Sequence, residues 1–309
     1  MAILIYANNR DITNWVDALK KEDKNIDIRI YPNIGNIDDI IFALTWPFPQ
    51  GFFSEFKNLK TICSIGAGVN HILKDPTIKD YINIVKLVDK NLTQNMWEYC
   101  LGAVTYYTMQ FNKYNELQNK KIWKEYIPNN FKNTTIGIMG LGSIGKDIAI
   151  KFEQIGFKIK GYSNSKKDIP NIKTYCNDDL IEDFLDDIDI LISILPLTSK
   201  TKYIFNNKFF KSMKKGSYFI NVGRGEQVVE NDLINNLNNN HLAGAFLDVF
   251  EQEPLEKNHP FWNHNKIFIT PHIASITNPY SVASQIITNY YNTTNRYPLQ
   301  NTINKKNGY

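Results

Sequence analysis

Residues 135–145 read TIGIMGLGSIG, and the fold of the chain depends on what that stretch is. The first five residues are apolar and β-branched enough for a strand. Gly140 suits a tight turn, Gly142 would let backbone come close to a phosphate, and Gly145 would let a helix pack closely on the strand. Residues 146–154 then have helical character. Three glycines at this spacing can be an ordinary loop, but a strand before and a helix after make them the turn that receives a dinucleotide pyrophosphate. Free N–H groups and the positive dipole end of the helix would face that anion. Gly140, Leu141, Gly142, Ser143, Ile144 and Gly145 are therefore cofactor-binding candidates.

Working outward, short β-branched runs alternate with helical patterns, the signature of βαβ units and parallel sheets. One set is AILIY (2–6), DIRIY (27–31), IIFALTW (40–46), TICSIG (61–66) and NIVKLV (83–88). A second is TIGIMG (135–140), FKIKGY (157–162), DILISIL (189–195), SYFINVG (217–223), GAFLDVF (244–250) and IFITP (267–271). The reading is an α/β protein with two doubly wound parallel-sheet domains. A long helix is expected over 94–118, with the domain junction near its start. Another helical pattern at 280–295 is expected to return to the first half. The first domain is accordingly placed at 1–95 plus 278–309, and the second, dinucleotide-binding domain at 96–277. The acidic stretch 178–189 reads as a solvated helix face.

Composition narrows the function classes. A chain of 309 residues with 43% hydrophobic residues is a globular protein large enough for two domains. The net charge is only +4 and the basic residues are scattered, which argues against nucleic acid as a partner. Cys63, Cys100 and Cys176 have neither CxxC spacing nor a histidine at ligand spacing, so no metal site is expected and reduced thiols are. The N-terminus lacks the marks of a signal peptide, and the uncharged stretches 40–54 and 99–112 are too short to span a membrane. A soluble, cytoplasmic protein is the expectation.

The loop after the second strand of the dinucleotide fold reads Ser163-Asn164-Ser165-Lys166-Lys167. A site for NADH would place a carboxylate here for the ribose 2′-hydroxyl. Small hydroxyl and amide groups followed by two cations suit a 2′-phosphate, which a carboxylate would repel. Ser163, Asn164, Ser165 and Lys166 are candidates for that contact, so NADP(H) is the preferred cofactor and NAD(H) a possible one.

Three further segments each end an expected strand, where ligands bind in open α/β sheets. They are INVGRGE with Arg224, LDVFEQEPL with Glu253 and ITPHIAS with His272. A histidine moves a proton near neutral pH, and a nearby carboxylate orients it and favours its charged form. An arginine fork grips a carboxylate in a bidentate manner. By spacing alone the three could still be unrelated. The other histidines, His71, His241, His259 and His264, stand in polar or loop contexts where a surface position is the default.

The glycine run, NVGRG, LDVFEQEPL and TPHIAS, in this order and at these separations, resemble the D-2-hydroxyacid dehydrogenase family. The likeness is greatest to its bacterial glyoxylate/hydroxypyruvate reductase A branch, whose pattern also covers IGAGVNHIL (65–73), the WP pair at 46–47, WEYCLGAV (97–104) and the terminal GY. The resemblance implies a Rossmann cofactor domain and a flavodoxin-like substrate domain with the active site in a cleft between them. It implies that Arg224 binds the substrate carboxylate and carbonyl, that His272 is the acid/base and that Glu253 pairs with it. Backbone N–H groups around Ala67, Gly68 and Val69 would hold the carboxylate, and Trp46 would shape the pocket. Asp248 would approach the nicotinamide, while Leu195, Pro196, Thr201, Val222 and Gly223 would line the cofactor. Two departures stand out: Asn70 replaces an aspartate common in relatives, and Asn164 replaces an arginine expected to meet the 2′-phosphate.

The reading that results is an NADPH-preferring reductase of small 2-keto acids, glyoxylate and hydroxypyruvate first, acting by hydride transfer. A non-catalytic dinucleotide-sensing corepressor or scaffold on the same fold is the alternative from another class. A dehydrogenase of another 2-hydroxy acid, or one acting on formate or phosphite, is the nearer alternative, and formate enzymes carry glutamine where Glu253 stands. A homodimer is expected, because Met96, Trp97, Tyr106, Tyr107 and Phe111 spread over more than one face of the long helix.

Overall fold

The structure is a computed structural model that describes residues 1–7, 11–66, 68–176 and 181–305. Ala67, the beginning of the acidic stretch at 178–180 and the terminal GY lie outside the described residues, as does the side chain of Asn70. The chain divides into two compact units, Met1–Leu92 with Ile276–Tyr309, and Thr93–Ser275.

In the first unit, β1 (Ala2–Tyr6), α1 (Thr13–Glu22), β2 (Ile28–Ile30), β3 (Ile40–Thr45), β4 (Thr61–Ser64), α2 (Asn70–Leu73) and β5 (Asn83–Val85) follow in order. The five strands form a parallel sheet in the order β2-β1-β3-β4-β5. Side chains alternate across such a sheet. Ile3, Ile5, Phe42 and Leu44 are buried on one face with Trp15, Ala18 and Leu19 of α1, while Leu4, Ala43, Ile62 and Ile84 are buried on the other with Phe53, Phe56 and Ile72. Burial of both faces is why these strands read as continuous apolar runs. The chain order reverses between β1 and β3, and Trp46 stands there, its N–H donating to the Tyr6 carbonyl at 2.9 Å.

The helix α3 (Lys90–Thr108) leads into the second unit, followed by α4 (Phe111–Asn119), β6 (Thr135–Met139), α5 (Ser143–Gln154), β7 (Lys158–Tyr162), β8 (Lys173–Tyr175) and α6 (Ile181–Leu185). After these come β9 (Ile190–Ser193), α7 (Asn207–Ser212), β10 (Ser217–Asn221), α8 (Glu230–Asn238), β11 (Leu242–Leu247) and β12 (Ile267–Ile269). Seven parallel strands lie in the order β12-β11-β10-β9-β6-β7-β8, so the direction of winding reverses at β6 and β9. One face carries Ile136, Ile138, Ile192 and Ile220 against α3 and α5, and the other carries Leu191, Phe219 and Leu247 against α6, α7 and α8. The last helix, α9 (Pro279–Asn295), belongs to the first unit, where Val282, Ala283, Ile286 and Tyr290 fill its core.

Two elements differ from the sequence expectation. The strand β8 has three residues, Lys-Thr-Tyr, at a sheet edge, too short and polar to show as a run. The helix expected over 94–118 is two helices, separated at Gln110, which has φ of 59°. No glycine or proline announces the break. The Gln110 side chain instead donates to the Ile127 carbonyl at 2.5 Å, and the Gln110 backbone carbonyl accepts from the N–H groups of Lys113 and Tyr114 at 3.0 and 3.1 Å.

Candidate active site

The turn after β6 is built as its glycines demand. Gly140 has φ of 108°, and a Cβ there would come within 2.8 Å of the Ile194 carbonyl oxygen. A Cβ on Gly145 would stand 1.9 Å from the Gly140 oxygen. Gly142 is different: a Cβ there meets nothing within 4 Å, so no packing inside the protein requires glycine at this position. It is also the residue that caps α5, and no side chain caps that helix. An uncapped N-terminus behind an open glycine, at the point where the winding reverses, fits a pyrophosphate group. Ser143 is exposed, whereas Leu141 is buried beneath the turn and occupies the space that a Cβ on Gly161 would need, at 2.6 Å. Leu141 and the partly packed Ile144 can therefore meet an anion only through backbone.

After β7, Asn164, Ser165 and Lys166 are exposed, but Ser163 is buried. Its hydroxyl donates to the Ser165 carbonyl at 2.7 Å, so its one proton is committed to closing the loop. Asn164, Ser165 and Lys166 are the residues of this group with side chains open to a ligand.

The loops after β9 and β10 are tied together by Gln227, which is 0% exposed. Its Nε2 donates to the carbonyls of Leu195 and Pro196 at 3.0 and 3.1 Å, and its Oε1 accepts from the Arg224 N–H at 3.1 Å. The buried Asn221 completes the clamp, accepting from the Gly223 N–H at 3.0 Å and donating to the Arg224 carbonyl at 3.1 Å. Thr201 shapes the loop from its other side by donating to the Pro196 carbonyl at 2.7 Å. Neither Asn221 nor Gln227 stood out in the sequence. Buried amides that join loops distant in the chain have no local pattern. Arg224 is thereby held through its own main chain by two side-chain amides, half-buried, with Val222 and Gly223 buried behind it. Its guanidinium donates to the Gly223 carbonyl at 2.6 Å. Burial pulls its pKa down, against the opposing charges of Glu253 and Glu226, and an arginine remains charged throughout.

His272 and Glu253 meet. The Nδ1 of His272 lies 2.7 Å from Oε2 of Glu253, and Oε1 of the same carboxylate accepts from the Phe250 N–H at 3.0 Å. Burial raises the Glu253 carboxyl, but the hydrogen bond and charge of His272, the Phe250 N–H and the Arg224 charge outweigh it and hold the group below its ordinary range. A carboxylate on Nδ1 fixes that nitrogen as the donor to Glu253, so Nε2 is the nitrogen that could exchange a proton with a ligand.

The backbone at His272 is left-handed, with φ of 56°, a conformation that costs a residue other than glycine about 1–3 kcal/mol. It is held by Asp248, which is 1% exposed. The Asp248 carbonyl accepts from the His272 N–H at 2.9 Å, its Oδ1 from the Ile273 N–H at 2.8 Å and its Oδ2 from the Ala274 N–H at 2.8 Å. Each bond to a charged acceptor is worth roughly 1.5–3 kcal/mol, enough together to hold the turn. Burial raises the Asp248 carboxyl, opposed by these donors, by Thr270 and by the His272 charge.

Trp46, Gly68 and Val69 belong to the first unit. A Cβ on Gly66 would strike the Trp46 ring at 2.8 Å, so the glycine makes room for the indole. His71 is half-buried rather than a surface histidine, its ring centroid 6.0 Å from those of both Trp46 and Phe48. His241, His259 and His264 bond to the Met213 carbonyl, Glu230 and Asn238, as structural side chains do. Among the described residues no group of His, Cys, Asp and Glu could hold a metal ion, and no helix is long and apolar enough to cross a membrane.

A family model described as the NAD binding domain of D-isomer specific 2-hydroxyacid dehydrogenase matches residues 101–274. Over 294 residues the chain is 35% identical to the glyoxylate/hydroxypyruvate reductase A of Serratia proteamaculans, with 94% of each covered. Among solved structures, an NADPH-dependent glyoxylate/hydroxypyruvate reductase of Sinorhizobium meliloti, in complex with NADP and sulfate, is 31% identical with a TM-score of 0.90, and the match covers 100% of both chains. A D-isomer specific 2-hydroxyacid dehydrogenase of Xanthobacter autotrophicus, in complex with NADPH and MES, is 30% identical with a TM-score of 0.90 and covers 100% of this chain and 99% of that one.

Proposed function

This chain belongs to the D-isomer specific 2-hydroxyacid dehydrogenase family and is an NAD(P)-dependent oxidoreductase; from that premise we propose that it reduces small 2-keto acids, glyoxylate and hydroxypyruvate first, with NADPH preferred and NADH accepted. The observation that carries the reading is the 2.7 Å contact between His272 Nδ1 and Glu253 Oε2, in a unit where Arg224 feels the Glu253 charge. A histidine oriented by a carboxylate next to a fixed guanidinium is what proton-coupled reduction of a keto acid needs.

A nicotinamide held there would supply the hydride for the carbonyl carbon. Arg224 orients the substrate by its carboxylate and draws electron density onto the carbonyl oxygen. His272 gives the proton on Nε2 to the oxygen as it becomes an alkoxide, and Glu253 stabilises the imidazolium before transfer and keeps Nδ1 as its donor. Gly140–Gly145 and the uncapped start of α5 receive the pyrophosphate, while Leu195, Pro196, Thr201, Val222, Gly223 and Asp248 line the rest of the cofactor path. Substrate binding by Trp46, Gly68 and Val69 is proposed on the resemblance.

The preference for NADPH is supported by the absence of a carboxylate at 163–166 and by the exposed Lys166. Relatives of similar length are described as NADPH-dependent or as complexes with NADP. A cytoplasmic setting suits the free thiols of Cys63, Cys100 and Cys176, which stay reduced there. Initial rates with a panel of 2-keto acids, each with NADPH and with NADH, test the reading. It requires glyoxylate or hydroxypyruvate with NADPH to give the highest kcat/KM.

The homodimer remains part of the proposal on a partly different set of residues, with Phe111 kept. Met96 and Tyr107 are buried, Trp97 packs on Phe152 at 4.7 Å, and Tyr106 lies against Phe268 at 5.2 Å. These four are used inside the second unit. Phe111, Ile122 and Ile127 are exposed, and Trp123 is 99% exposed. An apolar set of that size on one short stretch is the kind of surface that a second copy covers.

A further inference from the structure

The contacts of Asp248 do not end at the turn it holds. Its Oδ1 also accepts from the Thr270 hydroxyl at 2.6 Å, and that hydroxyl is bonded to the phenol of Tyr99. The Thr270 proton is committed to the carboxylate, so Tyr99 is the donor in the second bond. Tyr99 lies on α3 with its ring edge-on to Phe246 at 5.6 Å, and burial together with the Asp248 charge keeps its hydroxyl protonated. The N–H of His272 also donates to the Thr270 carbonyl at 3.1 Å. The order is thus Tyr99 O–H, Thr270 O–H, the Asp248 carboxylate, and then the three consecutive N–H groups of His272, Ile273 and Ala274, the carboxylate taking the last two and the Asp248 carbonyl the first.

We propose that Tyr99 and Thr270 are positioning residues for His272, acting through Asp248 to hold the left-handed turn that aims the imidazole. The inference rests on the reading of His272 as proton donor. A buried carboxylate remains ionised only while its donors are in place, and once protonated it loses acceptor capacity toward the turn. The left-handed backbone at His272 has no glycine to make it easy, so the turn depends on that carboxylate. A small change in its angle moves Nε2 from its productive position, and rates respond steeply to such displacements. Neither Tyr99 nor Thr270 touches the reacting atoms in this account.

Three variants test it. Tyr99→Phe keeps the ring on Phe246 and removes the hydroxyl, Thr270→Val removes the middle hydroxyl at constant shape, and Thr270→Ser restores it. Loss of one hydrogen bond toward a charged group predicts a fall in kcat of roughly tenfold in Thr270→Val and several-fold in Tyr99→Phe. The KM for the keto acid and the Kd for NADPH should stay within about twofold, and Thr270→Ser should recover most of kcat. The inference is overturned if either of the first two variants keeps its kcat, if kcat and NADPH binding fall by the same factor, or if the serine does not rescue. His272→Ala in the same assay separates the two levels. Retained turnover there defeats the reading of the site and this inference with it. Lost turnover there, with Tyr99→Phe and Thr270→Val unaffected, defeats the inference alone.

Discussion

His272 Nδ1 and Glu253 Oε2 stand 2.7 Å apart although 19 positions separate them in the chain. The second oxygen of that carboxylate is held by the Phe250 N–H, so the imidazole is oriented by a group that is itself fixed.

The pair has a consequence for stability. Burial raises the Glu253 carboxyl from its ordinary 4.5, and His272, Phe250 and Arg224 together bring it below that value. A carboxyl that is more acidic folded than unfolded adds stability above its unfolded pKa, and loses it as pH falls through the folded one. The stability of the parent protein over Glu253→Gln, measured by urea unfolding, should therefore shrink as pH falls below about 5. Asp248, shifted the opposite way, is present in both proteins and cancels from the difference. A difference that keeps growing below about pH 5 would contradict the pairing.

Gly142 and Gly145 should respond oppositely to alanine. In Gly142→Ala the new Cβ meets no protein atom and the backbone φ of −72° suits alanine, so the melting temperature should stay within about 2 °C. Its NADPH affinity, read by fluorescence titration, should fall by about tenfold as the methyl fills the approach to the helix start. Gly145→Ala should destabilise by about 1–3 kcal/mol, since its Cβ would stand 1.9 Å from the Gly140 oxygen.

In the loop after β7, Lys166→Ala should raise the KM for NADPH about tenfold and leave that for NADH nearly unchanged, the low end for a hydrogen bond to a charged group because Lys166 is exposed. Asn164→Asp should erode or reverse the preference by repelling the phosphate. Ser163→Asp is a less clean test, because it also breaks the bond to the Ser165 carbonyl. Unchanged ratios of kcat/KM for the two cofactors in both variants would remove this loop from the account.

Light scattering at micromolar concentration should give twice the mass of one chain. Trp123→Glu, at a side chain that is 99% exposed and so has no packing to lose, should give the mass of one chain with unchanged circular dichroism. A single-chain mass for the parent protein would refute the dimer.

How much of this the sequence discloses follows from the range of the interactions. Doubly buried strands and the turn at Gly140 are written in contiguous residues, and so were legible. The short edge strand β8 and the left-handed break at Gln110 were not, because each is decided by contacts elsewhere in the fold. At the site, Arg224, Glu253 and His272 stood out as residue types at strand ends. Their spacing could not say that His272 and Glu253 touch, nor that Ser163 turns inward. Asn221 and Gln227 left no trace for the same reason, and neither did the bond from Tyr99 to Thr270 across 171 positions.

The central claim is that His272 gives the proton to a 2-keto acid that this enzyme reduces. The direct test is steady-state NADPH oxidation with glyoxylate and with hydroxypyruvate, run for the parent protein and for His272→Ala, with NADPH binding titrated in both. Turnover of these acids is expected of the parent protein, and a loss of about 10²–10⁴-fold in kcat of the variant, with NADPH bound equally well. A parent protein that turns over neither acid, or a variant as fast as the parent, would contradict it.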